Sequence, residues 1–378
     1  MPLRLNDRAP RSAQHPFDGT EALCALALGS LRQMYRPEQK RFAFRLRQAH
    51  PQAIVEGTSF RYTAIVVIGL ARAPKDAVKV AIHGDTLENV CADLRDEAPR
   101  KRNLGDAALA LWAAQVVAVP GREVIRRRLE ELLSHEARPA TVEAAWALTA
   151  LCLEPESVDG GKLRDDVAQR LLDEFVERSG LFPHRLGGRG GGPRAHVACF
   201  ADLVYPIQAL AHYHKATGHS RPLEIAEMCA ARMCASLGKD GQWWWHYDVR
   251  TGGVVEGYPV YAVHQDAMAP MALLDLEEAG GSAHREAIAR GLSWLKAAPE
   301  LDGGTLIDES AEVIWRKVAR REPRKLTRRL QALASRAHPT IRVPGLNTVF
   351  PPGAVDYESR PYHAGWLLYA WLRAGQVE

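Results

Sequence analysis

The sequence predicts an all-α protein in which helical hairpins close into an α/α toroid. Three observations predict it. Apolar residues recur at helical spacing through most of the 378 residues, and short Gly, Pro or charged breaks separate them as between neighbouring antiparallel helices. Runs of alternating β-branched residues are almost absent, which leaves little sequence for strands. Short segments also repeat along the chain, and the loops between helices vary in length and carry most of the Trp, Tyr, His and Gly. An open solenoid keeps a short, nearly constant period. Long, chemically rich loops at one end of paired helices fit a closed ring better, here of about six to seven hairpins.

In order, the spacing predicts helices over 20–35, 60–73, 86–96, 106–118, 122–134, 141–153, 163–178, 199–216, 222–236, 263–279, 284–297, 309–320, 324–336 and 361–374. Strands are expected in short pieces such as Phe42 to Leu46. Residues 1–16 are polar, Arg-bearing and broken by proline, which predicts a flexible N-terminal segment ahead of a single toroid domain over 17–378. That segment lacks the apolar core of an export signal, about 7–15 residues long. The longest apolar run, Thr63 to Ala71, is far below the roughly 20 residues that span a bilayer. A soluble, cytoplasmic protein is expected.

The repeats point the same way. Phe42-Ala43-Phe44-Arg45-Leu46 returns as Phe182-Pro183-His184-Arg185-Leu186, and Pro206-Ile207-Gln208-Ala209-Leu210 is echoed by Pro270-Met271-Ala272-Leu273. The unit reads as helix, aromatic-bearing loop, helix.

Composition narrows the function. With 47% apolar and 25% charged residues the chain can build a sizeable core. Forty-nine Lys and Arg against forty-five Asp and Glu give +4, short of the excess expected when phosphate neutralisation dominates binding, so nucleic acid is not an expected partner. Five of the six cysteines lie in apolar helical patterns and read as buried free thiols of a reducing compartment. Cys229 and Cys234 match no common zinc spacing, and His212 and His214 diverge on a helix. No metal centre and no cofactor are expected.

The richest loop, 241–266, holds three Trp, three Tyr, two His, two Asp and one Glu. Flat apolar faces with polar tips suit stacking on a sugar ring or lining a hydrocarbon pocket. His246, Asp248, Glu256, Tyr258, His264 and Asp266 are the candidate catalytic groups, since together they supply acid and base. Trp243, Trp245 and Tyr261 are candidate binding faces, with Trp243 or Trp245 expected beside Tyr258 in a concave pocket. Each has a structural alternative: the tryptophans seal the core, Asp266 caps a helix, or Asp248 orders the Arg250 to Gly253 turn. A second loop, 180–203, sets His184, Arg185, Arg189, Arg194, His196 and Asp202 beside a run of glycines, suited to an anion or to a surface lid. It lacks the Gly-Lys-Ser/Thr ending of a P-loop. Arg45 and Arg185 hold matching repeat positions, for loop carbonyls or for substrate. Arg360 and His363 precede the last helix in a similar mixture. The run from Arg316 to Arg336 carries nine basic residues and one acid, read either as a solvated helix face or as a dock for an acidic partner, a membrane surface or a polyanion.

The stretch from Phe200 to Leu276 resembles the helical C-terminal domain of the D-glucuronyl C5-epimerases. The resemblance rests on Gln208-Ala209-Leu210, Tyr213-His214-Lys215-Ala216-Thr217-Gly218, Glu256-Gly257-Tyr258-Pro259 and Leu273-Leu274-Asp275-Leu276. The chain departs from that family at His264-Gln265-Asp266, where the family has Leu-Asn-Gly, and it lacks the family's β-rich N-terminal portion. Toroids of this kind serve six-hairpin glycosidases, sugar epimerases, polysaccharide lyases and terpenoid cyclases. The resemblance implies a carbohydrate-active enzyme acting on a uronate-containing sugar or glycan by epimerisation, elimination or hydrolysis. Two other readings stand beside it. A terpenoid-cyclase-like toroid is opposed by a 7% aromatic content and the lack of an Asp-x-Asp-Asp motif. A non-catalytic scaffold binding glycan or peptide is opposed by the cluster in loop 241–266.

Overall fold

The computed structural model describes residue 17 and residues 19–49, 53–154, 161–188, 192, 194–323 and 326–373. The segment 1–16, expected to be flexible, lies outside the described residues, as does Arg189. The structure is 57% helical. Its helices are α1 (Thr20–Met34), α2 (Phe60–Leu70), α3 (Lys75–Ala81), α4 (Leu87–Glu97), α5 (Leu104–Val117), α6 (Glu123–His135), α7 (Thr141–Cys152), α8 (Gly161–Asp173), α9 (Ala201–Thr217), α10 (Ser220–Ala235), α11 (Ala269–Glu278), α12 (Arg285–Ala297), α13 (Leu326–Ala337), α14 (Leu346–Val349) and α15 (Pro361–Trp371).

Composition sorts these helices into two layers. α5 reads LGDAALALWAAQVV and buries ten residues in and around its apolar run, as a helix surrounded by protein must. Its neighbour α6, EVIRRRLEELLSH, buries Ile125, Leu129 and Leu133 alone, one stripe at a spacing of four. The inner helices α2, α5, α7, α9, α11 and α15 touch in that order, and α15 returns to α2 to close the ring. The outer helices α4, α6, α8, α10 and α12 pack against them, and α1 packs on α15. The ring closes where two glycines meet. A Cβ on Gly69 would stand 2.1 Å from the Gly365 carbonyl oxygen, so any larger residue would push α2 and α15 apart. Trp112 and Trp366 fill the centre with ring centroids 5.4 Å apart.

Short antiparallel strands lie in the loops. β1 (Tyr35–Arg36) pairs with β2 (Arg41–Phe42), and β3 (Arg45–Arg47) lies between β4 (Ile54–Glu56) and β13 (Glu358–Ser359). β6 (His246–Asp248) lies between β5 (Val197–Cys199) and β7 (Val254–Glu256). β11 (Lys317–Arg320) lies between β8 (Val260–Tyr261) and β12 (Pro352–Asp356), and β9 (Ile307–Asp308) pairs with β10 (Val313–Ile314).

The helix expected over 309–320 is therefore corrected to strand. Short apolar runs fit both periods, and burial alternates along β11, with Val318 and Arg320 inside. Lys317 also meets its cross-strand partner Asp356 at 2.6 Å. The basic run Arg316 to Arg336 is not one solvated helix face either. Arg316, Lys317 and Arg320 are ion-paired at or on β11, and α13 buries Thr327, Arg328, Gln331, Ala332 and Ser335. Among the described residues no helix is long and apolar enough to cross a membrane.

Candidate functional site at the mouth of the ring

The inner helices begin at one end of the ring. At their starts Tyr62 of α2 meets Tyr362 of α15 with centroids 4.9 Å apart, and Trp146 of α7 meets Tyr205 of α9 at 5.0 Å. Arg61 of α2 reaches Asp106 of α5 at 2.8 Å and stands 3.7 Å from Glu143 of α7. Helix N-termini carry partial positive charge, so this mouth favours anions before any side chain is counted.

One wall is the β5–β6–β7 sheet. Pairing sets Cys199, His246 and Glu256 in one row across it, and directly opposed residues share a face. His246 is buried and stacks on Trp245 at 4.3 Å. Its Nε2 lies 3.0 Å from Nη2 of Arg194. A guanidinium only donates, so this nitrogen is the acceptor and the imidazole is neutral. Burial, then the charges of Arg194 and Arg328, hold its pKa well below the usual histidine value. Ring contacts continue from Trp245 edge-on to Tyr261 at 5.0 Å, then to His264 at 5.1 Å, which stacks on Phe200 at 4.3 Å. Burial holds His264 down to about 3.

Above this wall α13 brings Arg328, its guanidinium 4.7 Å from the Trp245 ring centre. Arg328 is buried, yet among the described residues its guanidinium bonds no carboxylate, and neither does that of Arg194. Burial, with the like charge of Arg194 adding to it, lowers the pKa of Arg328. The wall across the mouth is balanced instead. Arg360 donates to the Tyr62 hydroxyl at 2.7 Å, sits 4.4 Å from the Phe44 ring centre and pairs with Glu358. Glu358 also takes Arg45 at 2.8 Å and Arg316 at 2.9 Å.

On the rim, His184 Nδ1 lies 2.9 Å from Asp202 Oδ2, and the same oxygen accepts the Cys199 N–H at 2.8 Å. The Asp202 interaction raises the His184 pKa against burial.

The structure thus brings together Arg194, Trp245, His246, Tyr261 and His264, with Glu256 in the same strand row. Apart from the residues of the rim and the opposite wall, the other sequence candidates are held in structural contacts, Glu256 and Arg45 included. Trp243 is wholly enclosed against Phe200 and Gly291. Asp248 holds Arg250 and its own turn at 2.7–2.9 Å, the structural role weighed for it. Tyr258 donates to Glu300 at 2.9 Å, and Glu256 is neutralised by Arg320 at 2.9 Å. Asp266 sits in a π-turn over His264–Met268 and meets His363 at 2.7 Å inside the ring wall. Arg185 donates to the Arg138 carbonyl, whereas Arg45 pairs with Glu56 and Glu358, so the matched positions differ. His196 bonds Ser335 at 3.0 Å. Trp244, between the two expected tryptophans, lines a cleft of about 620 Å³ with Glu256, Arg320 and Asn347.

Sequence reasoning missed Arg61, Asp106, Glu143, Trp146, Tyr205 and Arg328. For Arg61 and Asp106 a signal existed. Ser59 and Asn103 cap α2 and α5, which places the residues just after them at the mouth.

No protein-family model matches the chain, and no curated protein matches it. Solved structures do. The unsaturated glucuronyl hydrolase of Bacillus sp. GL1, responsible for the degradation of glycosaminoglycan, matches with a TM-score of 0.61 at 14% identity, over 94% of this chain and 97% of that one. Cellobiose 2-epimerase from Bacillus thermoamylovorans matches with a TM-score of 0.59 at 11% identity, over 93% and 99%. A sugar epimerase from a ruminal bacterium matches with a TM-score of 0.57 at 9% identity, over 94% and 98%. The chain has the fold of the six-hairpin glycosidase-like toroids.

Proposed function

We propose that this chain is a carbohydrate-active enzyme that takes an acidic, uronate-bearing sugar into the mouth and removes the proton next to its carboxylate. The observation that carries this reading is neutral His246 held between Arg194 and the Trp245 face, with Arg328 above and no carboxylate on either guanidinium. A sugar face stacks on Trp245, and its carboxylate takes the two cations. A carboxylate is a stronger acceptor than an imidazole, so it draws Arg194 away and frees the Nε2 lone pair to act as base. The guanidiniums then neutralise the charge that builds on the carboxylate as the proton leaves. Reprotonation of the same carbon on its opposite face gives epimerisation, and loss of the substituent one carbon further gives elimination. Fold neighbours that act on unsaturated glucuronyl groups and on cellobiose support a sugar as substrate.

A second reading, hydrolysis, is favoured by Asp106 and Glu143, two partly exposed carboxylates that share Arg61 across the first inner helices.

The test is incubation with uronate-containing oligosaccharides in deuterated water. Deuterium uptake or an unsaturated product is expected, and His246→Gln should lower turnover by about 1,000-fold without loss of fold. New reducing ends without deuterium, abolished by Asp106→Asn, would replace the leading reading with hydrolysis. Reaction with an isoprenoid diphosphate and with no uronate would sink both.

A further inference from the structure

We infer that His184, Cys199 and Asp202 form a transition-metal site of the zinc type on the rim of the mouth. An imidazole nitrogen, a thiol sulfur and a carboxylate oxygen lie within 4.8 Å of one another. This is the mixed donor set that zinc prefers, and hard cations such as calcium or magnesium do not take it.

The fold holds each donor separately. Cys199 ends β5 opposite His246, and Asp202 stands in the first turn of α9. The Cys199 N–H bonds the Asp202 carboxylate at 2.8 Å, the outer contact that orients a ligating carboxylate. The backbone of His184 is pinned by the Thr141 N–H at 3.2 Å and by the bridge between Ala140 and Arg185.

The distances are close to those of a formed site. Zinc bonds of about 2.0–2.3 Å in a tetrahedron hold donors roughly 3.4 Å apart. His184 and Asp202, now at 2.9 Å, need to open by about 0.5 Å, and the sulfur needs to close by at most about 1.4 Å. Side-chain rotations cover both.

Charge decides whether a cation is tolerated beside Arg185 and Arg194 and a helix N-terminus. With the thiol deprotonated, thiolate and carboxylate cancel the two metal charges, and the filled site is neutral. His184 is 58% exposed on its side chain, so the fourth position opens to water. Three protein ligands and one open position is the coordination of a metal that activates water, not of a closed structural site.

This inference does not depend on the role of His246, and its test needs no turnover. Protein stripped with a chelator is titrated with Co²⁺. One equivalent should bind with thiolate-to-cobalt charge-transfer absorption, Zn²⁺ should displace it, and Zn²⁺ should raise the unfolding midpoint with concentration. His184→Ala, at an exposed position that leaves folding intact, should weaken binding at least about 100-fold, beyond the cost of losing an outer contact. Cys199→Ser should remove the charge-transfer band. No cobalt uptake, a band that persists in Cys199→Ser, or unchanged affinity in His184→Ala would each overturn the site. If Cys199→Ser does not fold, His184→Ala decides alone.

Discussion

The two ends of the ring handle charge in opposite ways. At the base, where the inner helices finish, Asp275 is buried and takes Gln208 at 2.8 Å, Tyr369 at 3.0 Å and Arg373 at 2.5 Å, with His212 at 3.3 Å. Arg72 lies 3.4 Å from the Tyr369 ring centre. Cations at helix C-termini are favoured by the helix dipoles, and here they also meet a carboxylate. At the mouth the dipoles reverse, and among the described residues neither Arg328, over Trp245, nor Arg194, on His246, bonds a carboxylate. The base satisfies its charges and anchors the ring. The mouth leaves cations unpaired where a ligand would complete them, the local inconsistency expected of a functional site.

The largest effect expected from breaking this contrast lies at the base. Asp275→Ala takes the acid from Gln208, Tyr369 and the part-buried His212 and leaves Arg373 with Glu278 alone, and should cost about 3 kcal/mol of stability. Denaturant unfolding measures this. A loss below about 1 kcal/mol would mean that the base does not anchor the ring. The folded fraction of the variant should bind anions at the mouth as the parent does.

Acid separates the two ends by pH window. Against burial, His212, Arg373 and Arg72 hold the Asp275 carboxyl far below the usual carboxylate range. A depressed carboxylate contributes stability above its unfolded pKa of roughly 3.9 and loses it as pH falls below that value. His264 at about 3 and His246, also depressed, are neutral when folded but take protons when unfolded from about pH 6.5 downward. Stability should therefore start to fall below pH 6.5, by up to about 1.4 kcal/mol per pH unit for each buried histidine. Unfolding measured at pH 7, 6 and 5 tests it, and His264→Leu should flatten the slope. An unchanged slope would assign the acid loss to other groups.

The sequence made the ring legible because burial is written locally. α5 and α6 differ in composition at every turn, and each can be placed as inner or outer without its partners. The site was legible only where chemistry is dense in one loop. Trp245, His246 and Tyr261 stood out in 241–266, and Arg194 beside the glycines. Contacts made across the fold left no local trace. Glu300 is 42 residues from Tyr258, whose hydroxyl it accepts, and Arg61, Asp106 and Glu143 lie on three helices. Arg328 was hidden in a basic run because a helix alone does not reveal what covers it. The strand over 317–320 was missed for a related reason, since its partners lie near 260 and 355.

The smallest effect on stability should come from the mouth itself. Arg328→Met keeps length and apolar contact with Trp245, relieves repulsion with Arg194 and loses a cation–π contact of about 0.5–2 kcal/mol. Relief from burying an unpaired charge offsets that loss, so the net change in unfolding free energy should stay within about 1 kcal/mol of zero. The ligand response should change far more. On the proposed function glucuronate should bind the folded state alone, so at 100 times its dissociation constant it should stabilise the parent protein by about 2.7 kcal/mol, read as a rising thermal midpoint. In Arg328→Met the carboxylate meets one guanidinium where the parent offers two, and most of that rise should vanish at the same concentration. Glucose, which has the same ring without the carboxylate, should move neither midpoint much. If glucuronate and glucose stabilise the parent equally, or the Arg328→Met variant responds as the parent does, the unpaired cations are not what receives the sugar acid, and the contrast between the two ends has no bearing on binding.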